Sequence, residues 1–277
     1  MSGARRTGAD PAPTEHHPPH HRVHLLSLQG SPGDLVNLPP AFSTPIRPDL
    51  IRRAVVAAQA ARRQPHGTSP TAGLRHSVEW SGKGRGVSRT PRLMNSMTGA
   101  QAPNTVGGRP AHPPRVDTIW AKKINTKERR LAFASALAAT REDRLVRARG
   151  HEVPDGLHFP VVLDAKVEEI GTSAEARELL TRLKLWGDIE RSSAGTHLRA
   201  GRGRRRGRPR REPKSLLVVT SAPGKARGFR NLPGVDVVSV LRLGAEDLAP
   251  GGDAGRLTLY SQAALGPLGE RATGGAA

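Results

Sequence analysis

The side chains of this sequence best placed to do chemistry are arginines set among glycines. Residues 199–211 read RAGRGRRRGRPRR and hold Arg199, Arg202, Arg204, Arg205, Arg206, Arg208, Arg210 and Arg211 with no acid. A second basic stretch carries Arg62, Arg63, Arg75, Lys83, Arg85, Arg89, Arg92, Arg109, Arg115, Lys122 and Lys123 against only Glu79 and Asp117. A guanidinium presents a planar fork of N–H donors that matches two phosphate oxygens, and glycine lets backbone approach such a group closely. The chemistry implied is polyanion binding, whose affinity comes mainly from phosphate neutralisation. Gly84 and Gly86 beside Arg85, the nearby Trp80, Gly107, Gly108 and His112 around Arg109, and Arg52 and Arg53 on one face of a predicted helix complete the candidate RNA-contacting set.

Catalytic patterns are missing. Pro223-Gly224-Lys225-Ala226 follows an apolar run, but a phosphate loop needs a glycine five residues before its Gly-Lys pair and Ser or Thr after it. Gly82, Gly84 and Gly86 alternate, while Gly201, Gly203 and Gly207 miss dinucleotide spacing by one; neither triplet leads from a strand into a helix. There is no G-x-S-x-G elbow and no H-E-x-x-H pair, and Glu168-Glu169 reads as a solvated face. His16, His17, His20 and His21 cluster without a carboxylate at ligand spacing or a cysteine, so no metal site is expected. No catalytic residue and no cofactor is assigned, and the chain is not read as an enzyme.

A net charge of +20 over 277 residues is typical of proteins that live on nucleic acid. Aromatics are only 3%, which argues against a surface that reads bases chiefly by stacking. The absence of cysteine excludes disulfides and thiolate sites. With no apolar run of membrane-spanning length and no short apolar leader, a cytoplasmic location is expected.

The elements that must carry these groups read as follows. Residues 1–22 are a His- and Pro-rich extension expected to be disordered, and 271–277 a disordered tail. Val23 to Leu28 alternates weakly, as an edge strand would. Pro48-Asp49 opens a helix with Leu50, Ile51, Ala54, Val55, Ala58 and Ala61 on one face. Asn125 and Glu128 have capping-box spacing before Leu131, Ala134, Leu137 and Ala138, and Thr140 is placed to cap a third helix. Thr172 and Glu175 repeat the box, and the helix they open is predicted to run through Trp186 and stop at Gly187. Phe159 to Leu163, Leu216 to Thr220, Val235 to Val240 and Leu257 to Tyr260 read as buried strands. Alternating strands and helices predict the α/β class: a single globular domain, residues 23–63 and 118–270, with a largely parallel sheet flanked by helices. Two insertions interrupt it, a long extended loop over 64–117 and a basic arm over 195–212. Gly- and Pro-rich, with no period longer than a few residues, the loop is too long to be an idle connection.

Nine blocks in fixed order carry a resemblance. They are FSTPIRPDLIRRAVVAAQAARRQPHGT, GKGRGVSRTPRL, VGGRPAHPP, KKINTKERRLAFASALAAT, LVRARGH, LRAGRGRRRGR, RNLPGVDVVSV, LAPGG and GRLTLYSQAAL, within a match that runs from about Leu38 to Leu265. Together they resemble the L-four family of large-subunit ribosomal proteins in its archaeal form. The resemblance implies a structural, non-catalytic protein that binds large-subunit ribosomal RNA early in assembly and touches neighbouring large-subunit proteins. It further implies that residues 64–117 thread through RNA to the wall of the polypeptide exit tunnel, with Ser96, Met97, Thr98, Gly99, Ala100 and Gln101 as the tip facing the nascent polypeptide. Neither a membrane nor a small-molecule substrate is implied. At the tip the chain departs from the family's basic, aromatic-ended pattern: NSMTGAQAPNTV over residues 95–106 has neither charge nor aromatic ring, and Arg109-Pro110 stands where two basic residues are expected.

Two other functional classes fit part of the pattern. One is an RNA-binding regulator acting off the ribosome with the same basic segments; the other is an α/β enzyme with basic tails, which the missing catalytic constellation disfavours.

Overall fold

A computed structural model describes residues 22–273. In chain order the elements are β1 (Arg22–Leu26), β2 (Pro32–Asn37), α1 (Pro48–Ala61), β3 (Val78–Glu79), β4 (Arg92–Leu93), α2 (Thr126–Ala139), α3 (Asp143–Ala148) and β5 (Val161–Leu163). There follow α4 (Ser173–Arg182), α5 (Trp186–Ala194), β6 (His197–Leu198), α6 (Gly201–Arg205), β7 (Arg210–Arg211), β8 (Leu217–Thr220), β9 (Asp236–Ser239), α7 (Ala245–Leu248), β10 (Thr258–Ser261) and α8 (Gln262–Thr273). Six strands form one sheet in the order β2-β1-β5-β10-β8-β9, parallel throughout except for the β1–β2 hairpin. The fold is therefore α/β with a largely parallel sheet flanked by helices.

Side chains alternate across the sheet, and the two faces feed two cores. Val162, Leu217, Val219 and Tyr260 point into a cluster with Ile51, Val55, Leu137 and Leu268 from α1, α2 and α8. Val161, Leu163, Val218 and Leu259 point the other way, toward Val146, Leu179, Leu180 and Ile189 from α3, α4 and α5. Strands buried on both faces read as continuous apolar runs, which is why they were legible in the sequence.

By contact clustering the chain divides into two compact units, residues 57–123 and the remainder. The sheet, with all the helices except the last turns of α1, belongs to the larger unit.

Several local expectations change. β1 is not an edge strand, because the chain reverses at Gly30 (φ +84°) and β2 covers it, leaving Pro32, Asp34 and Asn37 of the true edge exposed. Arg22 is the first residue of β1 rather than part of an extension, and residues 271–273 are the end of α8 rather than a tail. The His16 to His21 cluster lies outside the described residues. Asn125 sits at the N-cap of α2 without a side-chain bond, and Leu131 is exposed while all of Ala132 to Ala139 is buried, so α2 sinks in on every side. Thr140 ends α2 instead of opening α3: its hydroxyl donates to the Leu137 carbonyl and meets the Tyr260 hydroxyl at 2.9 Å.

The helix from Thr172 does not run to Gly187. It stops at Leu183, where Lys184 adopts φ +56°, the Leu185 N–H donates to the Leu180 carbonyl (2.8 Å) and the Lys184 N–H to that of Thr181 (3.0 Å). This is a Schellman ending built on lysine, stabilised by the buried contact partners Leu180 and Leu185. Gly187 then falls in the first turn of α5.

Candidate nucleic-acid interface

In open α/β sheets ligands sit beyond the carboxyl ends of the strands. That place is filled here by the protein's own charges. Glu168 is only 5% exposed; it accepts from the Ser221 N–H (2.6 Å) and hydroxyl (2.7 Å) and pairs with Lys225 at 2.8 Å. Burial opposes its ionisation, but these donors outweigh it and hold the carboxyl below its ordinary pKa. Glu168 is thus no solvated face, and Lys225, the cation of the phosphate-loop-like turn, is neutralised from within. The opposite ends of the strands are likewise satisfied. Arg256, fully buried, donates to the carbonyls of Ser215 (2.8 Å), Asp247 (2.9 Å), Leu216 and Gly234 (both 3.3 Å) and to the Asp236 carboxylate (2.7 Å).

The positive charge that remains unneutralised stands outside the sheet. In the arm over 195–212, β6 and β7 pair antiparallel, His197 with Arg211 and Leu198 with Arg210, and α6 forms a single turn at the end. The Arg199 N–H reaches the Pro209 carbonyl (2.7 Å), and Arg208 N–H that of Gly203 (3.1 Å). Gly201 and Gly207 take φ of +69° and +75°, so the backbone can turn at both ends of α6. Sequence reading gave this arm no regular structure; the hairpin supplies one. Arg202, Arg204, Arg205, Arg206, Arg208, Arg210 and Arg211 are all exposed, while the Arg199 guanidinium turns back to the Arg210 carbonyl (3.1 Å).

Within the 57–123 unit, a second hairpin pairs Val78 with Leu93 and Glu79 with Arg92. Its loop carries Gly82, Gly84 and Gly86 at φ +70°, +80° and +66° with nothing near where a side chain would stand, and lifts Lys83, Arg85 and Arg89 into solvent. Trp80 is 67% exposed at the hairpin's base. The limbs of the segment meet through glycines. A side chain at Gly73 would lie 2.5 Å from the Arg109 nitrogen, one at Gly108 2.0 Å from the Ala102 carbonyl oxygen, and the Thr68 N–H donates to the Pro114 carbonyl (3.1 Å). Gly107, at φ +74°, faces open space; Arg75, Arg109, His112, Arg115, Lys122 and Lys123 are exposed. Arg63 stacks on Trp120 at 3.5 Å from the ring centroid, beside a parallel His66 ring. Trp120 was not foreseen, since nothing in spacing links residues 57 positions apart.

Not every candidate is presented for binding. Arg92 is turned inward, donating to the Met97 carbonyl and to Ser88 (3.4 Å). Arg52 and Arg53 are exposed but paired with Asp253 (3.2 Å) and Glu128 (3.1 Å), contacts weak enough to exchange. The six residues expected at the tip also divide. Ser96, Met97 and Thr98 form an exposed turn closed by the Leu93 N–H to the Thr98 carbonyl (2.9 Å). Ala100 is 6% exposed, Gly99 sits against Thr105, and Gln101 donates from its amide to the carbonyls of Leu74 (3.1 Å) and His76. Those three tie the segment together because small side chains and one amide suit a crowded crossing.

Among the described residues, then, the crevice of the α/β sheet is self-neutralised and the exposed arginines are carried mainly on two glycine-rich excursions. The model of the ribosomal protein L4/L1 family matches residues 36–271, and the chain belongs to that family. Among its relatives is the large ribosomal subunit protein uL4 of Methanosphaera stadtmanae, 45% identical over 90% of this chain and 96% of that protein. The uL4 proteins of Methanopyrus kandleri and Haloquadratum walsbyi are each also 45% identical, over 89% of this chain and 97% and 98% of theirs.

Proposed function

We propose that this chain is a structural constituent of the large ribosomal subunit, cytoplasmic and without enzymatic activity, that holds ribosomal RNA through residues 62–123 and 199–211. The observation that carries the reading is the separation of charge: buried ions are paired inside the sheet unit, and arginines are displayed on two glycine-hinged hairpins. Relatives named for the same subunit support it. Binding begins early in assembly, and the turn around Ser96 to Thr98, with Met97 exposed within it and Met94 exposed just before it, is the part that meets the nascent chain at the tunnel wall.

Sedimentation of a cell extract tests the first claim. Comigration with the large subunit through a high-salt wash is the expected result, and free protein at the top of the gradient would refute it. With isolated large-subunit RNA, affinity should fall about 10³-fold or more between 50 and 200 mM salt, as for six to ten phosphate contacts; a flat response would exclude phosphate-dominated binding.

A further inference from the structure

A cleft of about 580 Å³ opens beside the basic arm, between the end of α3, α5, the strand β7 and the turn at Pro250. Ala148, Arg149, His151, Arg191, Arg211 and Lys214 line it. Of its two acids, Glu212 accepts from the Gly234 N–H, while Asp253 forms an exposed pair with Arg52 and also attracts Arg149. Lys214 and Arg191 are neutralised by Asp236 (2.8 Å) and Asp188 (2.9 Å). The guanidinium of Arg149 is different. It is held by the backbone carbonyls of Asp253 and Pro250, which fix its direction without cancelling its charge. Burial, and then repulsion from Arg256, lowers its pKa from the ordinary arginine value and outweighs the pull of Asp253, so a further anion beside it would be favoured.

A second feature points to a ligand independently. The His151 side chain is 2% exposed, and its Nδ1 lies 3.1 Å from both Asp188 oxygens, yet its Nε2 is buried and has no partner among the described residues. A buried polar atom left unmatched in a cleft calls for an occupant that can bond to it.

We infer that this cleft receives a single unpaired RNA nucleotide, its phosphate against Arg149 and Arg211 and a polar edge on His151 Nε2. The inference rests on the RNA-binding reading above. RNA is favoured over an acidic peptide because Arg211 of the cleft wall is also the last arginine of the arm, so a strand held by the arm leads into the cleft. The volume lies in the range that encloses small ligands.

The test uses the full chain and transcribed large-subunit RNA, with Ala148→Trp, Arg149→Gln and His151→Asn compared against Arg205→Ala. Exposed Ala148 touches none of the bonded network, so its tryptophan variant plugs the mouth while the urea midpoint stays at the wild-type value. Asparagine at 151 keeps a donor for Asp188 and removes Nε2. Each cleft variant should weaken binding by about fivefold or more, and Arg149→Gln should reduce the salt slope by about one. A photoreactive benzoylphenylalanine at position 148 should crosslink to a nucleotide in assembled subunits. Wild-type affinity in all three cleft variants, with Arg205→Ala weakened, overturns the cleft and leaves the arms. Crosslinking to a neighbouring protein also overturns it. Wild-type affinity in every variant, Arg205→Ala included, likewise overturns the cleft, and no affinity of the wild-type chain for the RNA overturns the RNA reading itself.

Discussion

Arg256 and the arginines of residues 199–211 belong to the same unit and put the same side chain to opposite uses. Arg256 is fully buried, and its donors are matched by four carbonyls and the Asp236 carboxylate around the ends of β8, β9 and β10. On the arm, Arg204, Arg205 and Arg206 are exposed on one helical turn and its cap, where their charges repel one another. What separates the two is whether the environment supplies acceptors. Where the fold provides them, arginine locks loops together; where it does not, the side chain awaits a polyanion. Stability and binding should therefore respond to different arginines.

The largest effect expected is on Arg256→Ala, which strands several buried carbonyls and removes one partner of Asp236. A loss of about 3–5 kcal/mol in urea unfolding is expected. A variant as stable as wild type would break the comparison at its buried end. Arg204, Arg205 and Arg206 changed together to Ala should lower the salt slope of RNA binding by about two to three, near 0.9 per lost phosphate contact. Their urea midpoint should stay close to wild type; a large shift would mean that the arm helps hold the sheet unit together.

Acid sharpens the same contrast. Burial opposes ionisation of Asp188, but His151, Arg191 and Ser215 outweigh it and bring its pKa down to about 2. A carboxyl depressed in the folded state contributes stability that is present above the unfolded value, about 3.9, and lost as pH falls through about 2. Wild type should lose about 2 kcal/mol from this group across that window, and Asp188→Asn should flatten that part of the pH profile. An unchanged acid limb would show that Asp188 is not held this way. The smallest effect concerns the tip. Met97→Ser should leave RNA affinity unchanged while altering the passage of nascent chains that normally stall. Gln101→Ala, by contrast, cuts the ties to Leu74 and His76 and should weaken RNA binding by loosening the limbs. Reversed outcomes would exchange the two roles.

Much of this was legible in the residues themselves. The doubly buried strands announced themselves as apolar runs, and glycine with arginine marked both excursions. The sequence could not disclose the ending of α4, because Lys184 occupies a left-handed position usually given to glycine and is held there by two backbone hydrogen bonds between buried Leu180 and Leu185 and their neighbours. Nor could it separate Glu168 from Glu169, since one carboxylate meets Lys225 and Ser221 from distant loops. The tip was read as six equivalent residues, yet three of them brace the segment.

Composition and periodicity by themselves determined the class of fold and the two segments that bear the charge, because those depend on side-chain type and local spacing. Only the tertiary structure decided which charges are free to act. Arg92 and Arg205 are indistinguishable along the chain; one is turned toward the Met97 carbonyl and the other faces solvent. Whether an arginine binds a partner or its own protein depends on acceptors brought from far along the chain, and that pairing exists only once the chain has folded.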